Sequence, residues 1–167
     1  MQSAECLRRV RPLVRERVPA ELRDFQWESY SFQSKLWYGN KALHYEIWPR
    51  EKLGTIEIGL HFEADPLTNA RLLAAFRANA KVVRRALVDA RLEEWDRGWA
   101  RVWEPLPHRK PDAQLAIELA KGIAAYVSAL EPILRRELPS DVVWVEPTTR
   151  PRRARAAAKS RTGSAVR

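Results

Sequence analysis

Between Tyr30 and Glu63, apolar and polar residues alternate with a period of two in three successive runs. In the first, Phe32, Leu36 and Tyr38 alternate with Gln33, Lys35 and Trp37. In the second, Leu43, Tyr45 and Ile47 alternate with His44, Glu46 and Trp48. In the third, Ile56, Ile58, Leu60 and Phe62 alternate with Glu57, Gly59, His61 and Glu63. Successive side chains of a strand point to opposite faces, so these runs predict an antiparallel three-strand meander with one buried face. Gly39-Asn40 stands where a two-residue type II′ loop belongs; that loop sets Leu36 opposite Leu43 and Phe32 opposite Ile47. A second turn over residues 50–53 sets Ile47 opposite Ile56 and Tyr45 opposite Ile58. Both turns keep the apolar residues of all three strands on one side, which a slip of one residue would undo.

The pattern then changes from two to 3.6. Ser3 to about Val18 is helical in pattern, with Leu7, Val10 and Leu13/Val14 on one side and Arg8, Arg11 and Arg15 on the other. Pro12 stands inside it, where an interior proline costs about 3 kcal/mol, and either kinks this helix or begins another. Pro19 to Trp27 reads as a connector. Asp65-Pro66 is an N-cap followed by proline at the first helical position. Leu72, Phe76, Ala80, Val83 and Leu87 make the buried stripe of the helix that follows, running to about Val88. Arg77, Lys81 and Arg84 fall on its far side, within about 60° of arc.

Leu92 to Leu106 predicts a second hairpin turning at Asp96-Arg97-Gly98. Trp95, Trp99 and Trp103, four apart, also fit a helix, but Gly98, Val102 and the aromatic density favour strands. Asp112 caps a second long helix with Leu115, Leu119, Ile123, Tyr126, Leu130 and Ile133 inward. Val142 to Val145 is a short apolar run suited to an edge strand or a docking clamp. The fold class is α+β: an antiparallel sheet (three-strand meander plus hairpin), two long amphipathic helices on one face, an N-terminal helix and a basic tail.

Composition refines this. At 167 residues with 46% hydrophobic residues and seven Trp, the chain suits one domain, residues 1–147, with ample core. The single cysteine, Cys6, excludes an internal disulfide and a thiolate metal cluster, and it fits a reducing compartment. The arginine-studded start has no apolar run of signal-peptide kind, and no segment is expected to span a membrane. A cytoplasmic location is expected.

The net charge of +9 is uneven. From Thr148 onward the cations are Arg150, Arg152, Arg153, Arg155, Lys159, Arg161 and Arg167, seven of the chain's 30, with none of its 21 acids. Residues 1–147 therefore hold 23 cations against 21 acids. Residues 148–167, with Val166 their one large apolar side chain, are expected to be disordered alone. Blocks of like charge are interaction tails. This one suits phosphates of DNA or RNA without reading sequence, or an acidic protein surface; it also suits mere solubility. Arg77, Lys81 and Arg84 are the folded body's expected addition to a nucleic-acid surface.

Ionisable groups converge only on the outward face of the meander. In the register above Glu46 lies opposite Glu57, Lys35 opposite His44, and His61 diagonal to His44. Two imidazoles and two carboxylates can ligate a divalent metal, and facing carboxylates can share a proton. A solvated sheet face also carries such residues with no chemistry, and that is the expectation here: no metal, no cofactor, no catalytic residue. Trp37 and Trp48, at opposite ends of the strands, are too far apart to clamp one base; the N-terminal helix or another subunit is expected to cover them. His108 has no partner, Glu51-Lys52 falls in a turn, and neither a glycine-rich phosphate loop nor a nucleophile elbow is present.

The meander, the Asn69-to-Leu87 helix, the Leu92–Trp95 "LEEW" and the closing helix together resemble, over about residues 28–137, an uncharacterised bacterial α+β domain often found behind restriction-type nuclease domains. The resemblance implies a setting among DNA-handling or defence systems and no activity. The expected function is a non-enzymatic, sequence-nonspecific nucleic-acid-associated module. The alternatives are a protein-interaction subunit docking through its sheet face and a small metal-dependent hydrolase or nuclease.

Overall fold

In the computed structural model, which describes residues 1–138, the chain runs α1 (Ser3–Arg17), β1 (Gln26–Ser29), β2 (Ser34–Trp37), β3 (Leu43–Arg50), β4 (Thr55–Phe62), α2 (Pro66–Ala78), α3 (Ala80–Ala86), β5 (Arg91–Glu94), β6 (Ala100–Pro107) and α4 (Ala113–Glu137). The Val142–Val145 run, the boundary at 147/148 and the basic tail lie outside the described residues. The strands make one antiparallel sheet in the order β1-β2-β3-β4-β6-β5, and the fold is α+β.

The meander forms with its expected faces and a different register. Leu36 pairs with Tyr45 and Ser34 with Ile47; Ile47 pairs with Ile58 and Tyr45 with Leu60. Each register is two residues from the expected one, a slip that preserves which side chains face the core. The turns explain it. The first loop spans residues 38–42 rather than Gly39-Asn40 alone, since the Asn40 side chain accepts from the Ala42 N–H at 2.7 Å and the Asn40 carbonyl accepts from Leu43 N–H at 3.1 Å. In the second loop Gly54 has φ +65°, a left-handed conformation that glycine adopts without steric cost. The loop must therefore include Gly54, and Arg50 pairs with Thr55. Phe32 does not join a strand; it is exposed and stacks on Tyr30. The expected connector, Pro19 to Trp27, runs into β1, which extends the sheet beyond β2.

Both capping aspartates act as such: Asp65 accepts from Thr68 N–H at 3.0 Å and Asp112 from Leu115 N–H at 2.6 Å. The helix after Asp65 divides at Asn79 into α2 and α3, so Ala80 is only half-buried. Pro12 lies inside α1 without ending it. The second hairpin turns at Arg97-Gly98, both with positive φ, as a type I′ loop requires.

The helices α1, α2 and α4 lie over the face that carries Leu36, Tyr45, Ile47, Ile58, Leu60 and Val102, all buried. The α4 helix packs directly on β3 and β4, and α1 packs on α4. By length and composition α4 passes for a membrane-crossing helix, contrary to expectation; its apolar stripe is spent on the sheet, with Leu119, Ile123, Tyr126 and Leu130 buried.

Candidate functional site

Because α1, α2 and α4 cover one face of the sheet, the other would be expected to be wet. It is not. His44 and His61 are each 1% exposed, and Glu46, Glu57, Arg101, Trp37 and Trp103 are buried with them. These residues alternate with the core positions on β2, β3, β4 and β6, and they contact one another across the strands.

The centre of this face is the pair His44 and His61, directly opposed on β3 and β4. Their rings stack with centroids 5.6 Å apart and 15° between planes. His44 Nδ1 lies 2.8 Å from the Lys41 carbonyl oxygen. A carbonyl only accepts, so Nδ1 carries a proton and Nε2 is the nitrogen turned toward the cluster. Toward Nε2 come Glu46 Oε2 at 3.4 Å and Glu63 Oε1 at 3.8 Å; His61 Nδ1 lies 3.9 Å from the same Glu63 oxygen. None of these approaches is a hydrogen bond, and His44 Nε2 and both nitrogens of His61 are buried without a partner. Lys35 reaches in from β2, 3.2 Å from Glu46 Oε2 and 3.5 Å from Glu63 Oε2. Trp95 closes over His61 edge-on, centroids 5.5 Å apart.

Burial governs the charges here. It drives the His61 imidazole down to about 3, so that ring is neutral at neutral pH. Burial also pushes the Glu46 carboxyl upward, but the His44, His61 and Lys35 side chains beside it outweigh that and hold it at about 2.

Glu57 is not part of this cluster. In the observed register it stands opposite Trp48, while Glu46 faces Gly59, so the expected Glu46/Glu57 pair does not form. Glu57 instead accepts from Arg50 and from Arg101, each at 2.9 Å. Arg101 continues the line to Glu93 at 2.8 Å and lies over the Trp103 ring, 3.8 Å from its centroid. Trp103 Nε1 donates to the same Glu93 at 2.7 Å. Gly59 makes this layer possible, since a Cβ there would lie 2.5 Å from Trp103 Cβ.

The residue that sequence reasoning missed is Glu63. The signal was present as a repeated tripeptide, His44-Tyr45-Glu46 and His61-Phe62-Glu63. With the histidines opposed on antiparallel strands, the two glutamates flank the pair from opposite directions. Trp37 and Trp48 are closed over by Lys41, Arg50 and Trp95, not by α1, which lies on the far side of the sheet.

Of the expected nucleic-acid residues, Arg77, Lys81 and Arg84 are exposed on α2 and α3. The division at Asn79 interrupts the single spiral on which they were placed. None has an ion pair among the described residues, nor does Arg85, and residues 66–88 contain no acid. The C-terminal end of α4 docks at the same division: Arg136 donates to Asn79 Oδ1 at 3.0 Å, and Asn79 Nδ2 to Glu137 at 3.5 Å. A second cationic feature, an open concavity of about 510 Å³ lined by Arg11, Pro12, Arg15, Glu16 and Arg23, lies beside α1. Arg150, Arg152, Arg153, Arg155, Lys159 and Arg161 fall outside the described residues.

The chain matches no protein family, no curated protein and no solved structure with which it was compared.

Proposed function

We propose that the protein is a non-enzymatic module that holds nucleic acid through its phosphates, without reading sequence. One observation carries this reading: α2 and α3 present a run of exposed cations, with no acid between residues 66 and 88. Arg77, Lys81, Arg84 and Arg85 are exposed and unpaired among the described residues. The continuation of the chain brings seven further cations after Thr148 and no acid there. Body and continuation both carry cations with no acid in their own segment, and phosphate contact is the chemistry that unpaired arginines and lysines serve without base-edge readout. The resemblance noted in the sequence points to the same setting, among DNA-handling systems. The ionisable groups of the sheet face favour no turnover of substrate, since the histidines at their centre are 1% exposed.

The experiment is binding to duplex DNA and to RNA over a range of salt. The intact chain binds both, with little dependence on sequence and a steep fall with salt, about −0.9 in log K against log salt per phosphate contacted on B-DNA. Ending the chain at Pro147 weakens binding and flattens the slope, and Arg77→Glu with Arg84→Glu reduces what remains. Equal binding by intact and truncated chains removes the tail from the reading. No binding at low salt transfers the cations to an acidic protein partner.

A further inference from the structure

We propose that His44, Glu46, His61 and Glu63 form a closed four-ligand site for a divalent metal of the zinc class. The two His-aromatic-Glu tripeptides place two imidazole nitrogens and two carboxylate oxygens so that all four ligand atoms lie within 4.8 Å of one another. A tetrahedral ion bound about 2.1 Å from each ligand needs ligand atoms separated by about 3.4 Å. Three separations, 3.4, 3.8 and 3.9 Å, are near that value, and those of up to 4.8 Å would contract by about 1.4 Å.

Four features point to a metal rather than to a plain ion-pair cluster. Buried polar atoms in folded proteins almost always have partners, yet His44 Nε2, His61 Nδ1 and His61 Nε2 are all buried with none. An ion satisfies one nitrogen of each ring at once. His44 is already set for ligation: its Nδ1–H is held by the Lys41 carbonyl at 2.8 Å, the outer contact that fixes the tautomer of metal-binding histidines and aims Nε2 at the ion. Lys35 holds Glu63 by Oε2, leaving Oε1 facing the rings, and lies 3.2 Å from Glu46 Oε2, so one ammonium group tethers both carboxylates at the rim. Finally, Glu63 and Lys35 form the open rim, at 19% and 14% side-chain exposure, which gives an ion a way in.

The donor set selects the ion. Two neutral imidazoles with two carboxylates suit zinc, and less well the harder ions that prefer oxygen alone. Four protein ligands fill a tetrahedron and leave no position for water, the arrangement of a structural rather than a catalytic centre. The ion would clamp β3 to β4 on the face that no helix covers among the described residues.

The test uses the full chain, stripped with a chelator, desalted, and titrated with zinc alone by calorimetry. Metal retained after gel filtration is counted by elemental analysis. The expected result is one equivalent at micromolar or lower free zinc, with a higher melting temperature in its presence. Glu63→Gln, a change at the partly exposed rim that leaves the fold intact by circular dichroism, weakens binding at least about tenfold, the loss that even an outer partner's removal produces. His44→Gln does the same, and His108→Gln, far from the cluster, changes nothing. Absence of saturable one-to-one binding overturns the proposal, as does a one-to-one site that survives Glu63→Gln at full affinity. The outcome is independent of nucleic-acid binding.

Discussion

The hydroxyl of Tyr45 on β3 donates to Glu131 Oε2 on α4 at 3.0 Å, a buried bond between residues 86 positions apart. Glu131 is 3% exposed, and its other oxygen accepts from Arg135 Nε at 2.9 Å. This bond ties α4 to β3 within the core. Tyr45→Phe removes one donor from a buried carboxylate and is expected to cost about 1–3 kcal/mol, read as a lower urea midpoint at unchanged slope. Adding Glu131→Leu removes the stranded acceptor and should recover part of that loss.

Ile58 and Gly122 meet where α4 crosses β4. Ile58→Ala should cost about 2–5 kcal/mol as a buried large-to-small change. A Cβ on Gly122 would lie 2.9 Å from Ile58 Cδ1, which opposes the roughly 1 kcal/mol that alanine gains over glycine inside a helix. Gly122→Ala is therefore expected to stabilise the Ile58→Val protein, whose shorter side chain vacates the space, and to be neutral or worse in the parent. Paired thermal melts of the four proteins decide it.

The elements and their inward faces were legible because alternation and 3.6-residue periodicity survive small errors in turn length. Asp65, Asp112 and the Asp96-Arg97-Gly98 turn marked boundaries by their own chemistry. The register was not legible: it depends on whether Gly54 lies inside its loop and on a side-chain bond at Asn40, neither of which periodicity records. That two-residue difference is also why the site was misread. It carried Glu57 away to Arg50 and Arg101 and brought Glu63 beside the histidines. β1 was hidden because its four residues, Gln26 to Ser29, carry no alternation strong enough to stand out.

Acid should destabilise the metal-free protein in two stages. The His61 imidazole, lowered from 6.5 to about 3 in the fold, binds fewer protons folded than unfolded, so stability falls as pH drops from about 6.5 toward 3. Glu46, lowered from 4.5 to about 2, contributes stability above 4.5 that is lost below it. Both act in the same direction. Urea midpoints in chelator should be level from pH 8 to 7 and decline below about 6.5. His61→Gln should flatten the upper part of that decline.

Gly59→Ala should be among the costlier single-methyl additions in this protein. The new carbon would lie 2.5 Å from Trp103 Cβ and from the Val102 carbonyl oxygen, and backbone in mid-sheet cannot move aside cheaply. Overpacking of this kind costs about 1–3 kcal/mol or more. Tryptophan emission should shift with the loss of stability, since Trp103 must leave its place over Glu93.

The order in which α4 and the sheet leave the ribosome has a consequence for how the protein is made. The strands β3 and β4 are complete by Phe62, but the helix that covers them is not finished until Glu137. At about 5–20 residues per second, roughly 75 residues of synthesis leave that apolar surface bare for about 4–15 s. Throughout that interval Leu36, Tyr45, Ile47, Ile58 and Leu60 have no α4 to cover them. Slower translation lengthens the exposure, so yield should follow the supply of holdase chaperones and the pace of elongation more closely than the stability of the finished fold.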